Sequence, residues 1–254
     1  MDQPMDGEHI SKTEAAYRTL RRDILSTRLG PGTPLKLGAL RIAYSIGWTP
    51  LREALSRLEA ERLVTAVSNR GFAVAKVSRE ELEDLTRARL LIEVPLFVES
   101  IRNGGSDWEA SVITAHYRLS RCTLAVENPS ETALDDWDEK HQAFHDALLG
   151  AATSAWLLRF QETISDQLRR HHRFLSLAPM LRAAAGQEHG HEQALAALRD
   201  ATAIEHHTHL MEAALDRDIE RAKALMTEHI GYTLDVYARS EEKPTSTKRR
   251  RRPK

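Results

Sequence analysis

Two histidines are spaced so that they could share one cation, and two more stand where a helical bundle could add them. His141 and His145 stand four residues apart in LDDWDEKHQAFHDAL, one turn along a single helix face, so both imidazoles can reach one ion. His207 and His229 fall on two later segments that read as helices, which a bundle can bring alongside the first pair. Four neutral nitrogens suit a divalent transition metal such as Zn²⁺ or Ni²⁺ better than Mg²⁺, which prefers oxygen. The chain holds 12 histidines, His189, His191, His206 and His209 among them, so solvated surface histidines are the competing reading. A histidine-rich, metal-dependent hydrolase would also need a carboxylate base, for which Asp138, one turn before His141, is the candidate. No H-E-x-x-H run accompanies it.

A second group has the chemistry of nucleic-acid recognition. Thr49 and Arg52 lie at the start of a short amphipathic helix, where a helix-turn-helix places side chains against base edges. An arginine there can pair with guanine in bidentate fashion, worth roughly 1–3 kcal/mol of discrimination. Arg57 falls further along and meets phosphate or acidic neighbours, while Trp48, in the turn, comes to the DNA surface. Arg70, at a hairpin tip, can enter a minor groove or touch backbone, and Gly71 lets that tip approach closely. Four further arginines could hold an anion. Arg89 can grip a carboxylate ligand or pair with Glu93 four residues on. Arg169, Arg170 and Arg173, beside His171 and His172, either join such a site or belong to a solvated charged face.

The elements that must position these groups are legible in the periodicity. Thr13 to Thr27 reads as an amphipathic helix ended by Gly30-Pro31-Gly32-Thr33-Pro34, and Leu37 to Tyr44 as a second helix. Ser45-Ile46-Gly47-Trp48 reads as a tight turn relieved by Gly47. A third helix follows with Thr49 as its N-cap, Pro50 in its first position and Arg52 in its third; Leu51, Ala54, Leu55 and Leu58 form its apolar stripe. Two β-prone runs, 63–67 and 72–77, flank Ser68-Asn69-Arg70-Gly71, which gives a hairpin and hence a winged-helix order. Ser78-Arg79-Glu80-Glu81 is a capping box that opens a helix running to Asn103-Gly104-Gly105. Further helices are expected over 107–127, 130–149, 154–175, 192–215 and 219–240, with breakers at Asn128-Pro129, Gly150, Pro179, Gly186 and Asp216-Arg217-Asp218. The fold class is therefore mainly α: a winged helix-turn-helix followed by an all-α antiparallel helical bundle.

Charge divides the chain the same way. Residues 10–78 carry 12 basic and 5 acidic side chains, whereas the long helical part is acidic and residues 243–254 carry seven positive charges and no negative one. A basic module on an acidic one points to a polyanion facing only the first, with accidental surface charge as the alternative. The tail adds sequence-independent attraction to phosphate or is simply a solvated end. A single cysteine, Cys122, excludes an internal disulfide and a cysteine-built zinc site. Without a long apolar run or a basic-then-apolar leader, the expectation is a soluble cytoplasmic protein that has no membrane partner.

The segments YxxLRxDILxxxLxPGxxL, TPLREALSRLEAERLV and NRGFAV, spanning Tyr17 to Val77, resemble the winged helix of the GntR superfamily. The resemblance implies a transcription factor that binds a short palindromic operator in double-stranded DNA as a homodimer, with DNA contacts at Thr49, Arg52, Arg70 and Gly71. The downstream region, with Arg89-Leu90-Leu91-Ile92-Glu93, HQAFH from His141 and the series His207, Asp218, His229, resembles the FCD effector-binding domain of the FadR branch. In that family a D-x-x-F-H helix and two later histidines form a divalent metal site. Here His141 stands in the Asp position, which leaves either an all-histidine metal site or an anion site without a metal. YSIGWTPLREAL, LDDWDEKHQAFHDAL and ERAKALMTEH look most like glutarate-responsive members, and this implies a small organic acid effector, a glutarate-like dicarboxylate. The expected organisation is a DNA-binding domain over 10–77, an effector-binding and dimerisation domain over 78–240, and a basic tail over 241–254. Departures at Trp48 and Gly38, where members often carry Arg, put the usual operator sequence in doubt.

Overall fold

The computed structural model describes residues 11–67, 71–122, 130–179, 181, 196, 199–200 and 202–241, apart from the side chains of 233 and 235–241. Arg70, the breakers Asn128-Pro129 and Gly186, the start of the helix expected at 192, and the basic tail beyond 241 lie outside the described residues. The chain divides into two compact units. One holds residues up to Leu85 together with Arg159–Phe174, and the other holds Thr86–Leu158 with the chain from Leu175 on.

In the first unit, α1 (Lys12–Leu25) is capped by Ser11, whose hydroxyl accepts from the Glu14 amide, and it buries Ala16, Tyr17, Leu20 and Ile24. A short strand that the Pro-rich breaker had hidden, β1 (Pro34–Leu35), precedes α2 (Leu37–Tyr44) and α3 (Trp48–Ala60). The turn between the helices is made differently from the expectation. Ser45 takes the left-handed conformation, at φ 54°, whereas Gly47 is extended at −69° and is the N-cap of α3. Thr49 therefore lies inside the helix, Pro50 in its third position and Arg52 in its fifth. The helix accepts Pro50 there because its first intrahelical amide bond is Leu51 N–H to Gly47 O.

Strands β2 (Val64–Val67) and β3 (Gly71–Val74) complete an antiparallel sheet of order β1-β3-β2, with Pro34 opposite Ala73 and Val64 opposite Val74. Gly71 sits at φ 90°, a backbone conformation that glycine alone takes without strain. β3 stops at Val74 rather than continuing to Val77. The carbonyls of Ala75 and Lys76 instead accept from the guanidinium of Arg170. In the same unit Gln167 donates to the Glu61 carbonyl at 3.1 Å, Asp166 pairs with Arg21, and His171 Nε2 lies 3.0 Å from a Glu81 carboxylate oxygen. One helical stretch, Asp166–His171, thus holds α1, the end of α3, the exit of the wing and the start of the helix that follows it.

The second unit is helical among its described residues, and two of its helices have residues 79–85 and 159–172 in the first unit. α4 (Arg79–Asn103) begins at the Ser78 cap, with Ser78 Oγ accepting from the Glu81 amide, and carries Pro95 within it. α5 (Ser106–Ser120) ends earlier than the expected 127; α6 (Glu131–Leu148) and α7 (Ala155–His172) follow, and α7 runs on as a π-helical turn, Arg173–Leu177. The helix expected over 192–215 is interrupted: Thr202–Ile204 is not helical, and α8 is Glu205–Leu215. α9 is Ile219–Glu241, entered through Arg217 at φ 57°. Phe97, Val112, Leu134, Phe144, Leu148, Leu210, Met226 and Ile230 form the core of this unit. No helix among the described residues is long and apolar enough to cross a membrane.

The α4–α5 junction gives a stability prediction. A Cβ on Gly104 would overlap the Trp108 ring and the Ser100 carbonyl, whereas one on Gly105 would meet open space. Trp108 is held by its indole N–H to the Ala147 carbonyl at 2.9 Å and cannot give way cheaply. Gly104→Ala is expected to cost about 1–3 kcal/mol, as overpacking does. Gly105→Ala should leave the midpoint of thermal unfolding near that of the parent, and equal midpoints for the two variants would refute the account.

Candidate functional site

α3 presents two faces. Leu51, Ala54, Leu55 and Leu58 are buried, while Trp48, Thr49 and Arg52 are exposed, as their alternation at helical spacing demands. Arg52 has no ion-pair partner among the described residues. Arg57 on the same helix is tied down: it bonds Glu14 at 2.8 Å, lies 3.5 Å from Glu61 and stands 3.5 Å above the Tyr17 ring. Of the two fates that the sequence left open for Arg57, acidic neighbours are the one realised. Arg41 from α2 lies across the Trp48 indole, 5.2 Å from its centre. Gly71 opens β3 opposite Val67, at the loop end of the wing, and Arg70 lies outside the described residues.

The four histidines singled out from the sequence meet in the second unit. His141 and His145 come from α6, His207 from α8 and His229 from α9, and their ligand atoms all lie within 4.8 Å of one another. His145 Nε2 and His229 Nε2 are 3.1 Å apart, near the separation of about 3.3 Å that two nitrogens take on one tetrahedral zinc. His145 and His207 are buried, at 4% and 3% exposure. Burial, reinforced by the neighbouring rings and Arg89, holds His145 well below the usual imidazole range, and burial brings His207 down to about 4. Both rings are therefore neutral at pH 7.

The His207 tautomer follows from its partner. Nδ1 faces the Ala203 carbonyl at 3.2 Å, and because a carbonyl can only accept, Nδ1 carries the hydrogen. Nε2 is left as a bare, buried lone pair with no hydrogen-bond partner among the described residues. That is the state of a metal-ligating histidine with its second nitrogen anchored to the backbone. An anion site would instead need N–H donors, which a neutral His207 cannot aim inward. The donor set thus fits a late transition metal, and His141, stacked on Trp137 at 4.4 Å, completes it in the place of a carboxylate.

Of the two readings of Arg89, the pair with Glu93 is present. Its Nε donates to Glu93 at 2.8 Å in a buried i,i+4 pair, and its charge is felt at His145 and His207, which places it beside the cluster. Its two terminal nitrogens bond no described residue. Arg173 opens the π-helical turn, buried and engaged in interactions of its own. Sequence reasoning missed Gln167, and it assigned Arg170 to an anion site or to solvent, whereas the guanidinium bonds backbone carbonyls. A buried arginine that caps backbone carbonyls has no signature in spacing.

Two known families match most of the chain. The pattern of bacterial regulatory proteins of the gntR family matches residues 12–74, and that of the FCD domain matches residues 84–232. The HTH-type transcriptional repressor GlaR of Escherichia coli K12 is 38% identical over 84% of this chain and 90% of its own length. The HTH-type transcriptional regulator BphR of Paraburkholderia xenovorans is 32% identical over 89% of this chain and 85% of its own. Among solved structures, E. coli McbR/YncC shares the fold with a TM-score of 0.71 at 19% identity, covering 92% of this chain and 100% of that one. A putative GntR regulator from Rhodococcus sp. RHA1 does so at 0.67 and 18% identity, covering 89% and 97%. The hydrolase alternative falls with these relatives, which are transcriptional regulators. The chain belongs to the GntR family as an FCD-domain member, a helix-turn-helix regulator of transcription that carries a four-histidine cluster in its helical domain.

Proposed function

We propose that this regulator is a ligand-responsive repressor that binds a palindromic operator as a homodimer and is modulated by a short dicarboxylate of the glutarate kind. Residues 10–77 form the DNA-binding domain in this reading, with Trp48, Thr49, Arg52, Arg70 and Gly71 toward the operator and Arg57 kept for the fold. Residues 78–240 bind the effector and join the two copies. Two winged helices then lie on adjacent major grooves about one helical turn apart.

The observation that carries the effector reading is the convergence of four imidazoles, with His145 and His207 buried, in a unit that also buries Arg89. His141, His145, His207 and His229 would hold a Zn²⁺ or Ni²⁺ ion, which supplies a Lewis-acidic anchor for a carboxylate. Four neutral ligands compensate none of the ion's double charge, and Glu93 already balances Arg89. An anion with two carboxylates matches that excess better than one with a single carboxylate. The free terminal fork of Arg89 is shaped for such a group, and Arg173, already engaged, is not needed.

A ligand shifts an equilibrium only as far as its affinities for the two arrangements differ. The route to DNA has a support of its own: Arg159–Phe174, inside the FCD match, shares a compact unit with the winged helix. Fluorescence anisotropy of the protein on DNA from upstream of its own gene, with and without glutarate, tests the reading. Tight binding that glutarate weakens is expected. Binding indifferent to glutarate would remove that ligand, and binding no tighter than to random DNA would remove the repressor.

A further inference from the structure

The DNA-facing side of the winged helix carries an apolar surface that its basic chemistry does not explain. Trp48, the first residue of α3, is 49% exposed, and Ile42 near the end of α2 is 76% exposed. Neither is needed by the core of this unit, which closes on Leu20, Leu51, Leu55 and Leu58. Arg41 covers one side of the indole and leaves the rest to solvent. In the major groove the hydrogen-bonding edges of the bases are all polar, and the one apolar group presented there is the 5-methyl of thymine.

We propose that Trp48 is a specificity-determining residue that reads a thymine through its 5-methyl group in each operator half-site, while Arg41, stacked across the indole, is held for a neighbouring phosphate. The inference rests on the repressor reading above and deepens it. Trp48 opens the helix whose N-terminal residues reach base edges, and it does so one turn before Arg52 on the exposed face. Arg52 supplies the polar discrimination and Trp48 the apolar one. The stacked Arg41 fixes the ring, so the contact needs little further ordering when DNA arrives.

The test begins with selection of the operator from random DNA by the full-length protein. Each symmetric pair of thymines in that operator is then replaced by deoxyuridine, which removes the methyl group and leaves the polar edge unchanged. Affinities are measured for the parent and for Trp48→Ala, whose fold is checked by thermal unfolding. Loss of one buried methyl corresponds to about fourfold per half-site, and so to about fifteenfold for a symmetric pair. One pair should show that loss with the parent and none with Trp48→Ala. Indifference of the parent at every thymine overturns the proposal, and so does a sensitive pair that stays sensitive in Trp48→Ala. Failure to select any sequence overturns the repressor reading itself, and this proposal with it.

Discussion

Replacing Arg52 by alanine is expected to abolish operator recognition while leaving the fold intact. The side chain is exposed on α3 and unpaired among the described residues, so its removal opens no cavity and strands no buried partner. Its free guanidinium can make a bidentate bond to guanine, worth roughly 1–3 kcal/mol, and a dimer on a palindrome uses it twice. The ratio of operator to random-DNA affinity should then fall by about 10²-fold or more, measured at one fixed salt concentration because phosphate contacts depend steeply on salt. Arg57→Ala is the informative contrast. It breaks the bonds to Glu14 and Glu61 and uncovers Tyr17, and so should lower the thermal midpoint more than the specificity ratio. An Arg52→Ala protein with undiminished specificity would show that α3 is not the reading helix.

Arg52 and Arg57 also show where the sequence stops being informative. Both are arginines on the polar side of one amphipathic helix, and local pattern treats them alike. What separates them is Glu14, 43 residues away on α1, and no periodicity brings that carboxylate to Arg57. The same limit explains the turn before α3. Glycine was the natural candidate for its left-handed residue, yet Ser45 takes it, because the backbone has to turn directly at the end of α2, where the Ser45 amide still bonds back to Ile42.

The histidine site was legible to a greater degree, because i,i+4 spacing on α6 is itself geometry. The closing of α8 and α9 onto α6 is a long-range packing event, and only family resemblance anticipated it. Arg170 and Gln167 were illegible for the opposite reason: a run of polar and charged residues usually means solvent, whereas these side chains turn inward to backbone carbonyls at the wing exit and at the end of α3. A helix 95 residues downstream thus finishes the hydrogen bonding of the wing exit.

On the proposed metal-bound reading, removing divalent metal should lower the protein's stability by several kcal/mol, and acid should do so even without metal. A ligand that binds only the folded state stabilises it by about 4 kcal/mol when free ligand is 1,000-fold above its dissociation constant, so a chelator should lower the thermal midpoint markedly. His145→Ala takes away a central ligand, and elemental analysis should find its bound metal lost; unchanged stoichiometry would refute the site. For the metal-free chain, unfolded imidazoles titrate near 6.5, whereas burial puts His207 at about 4 and His145 well below its usual range. Between those values the unfolded state binds protons that the folded state refuses, so stability falls as pH is lowered from about 6.5 toward 4. His207 alone accounts for roughly 3 kcal/mol of that loss. The same depressed basicity favours metal at neutral pH, because no proton has to leave before the lone pairs bind. Acid and chelator should therefore act on one set of residues. In His145→Ala both sensitivities should shrink together, and a variant that lost its metal but kept the full acid transition would assign that transition to other groups.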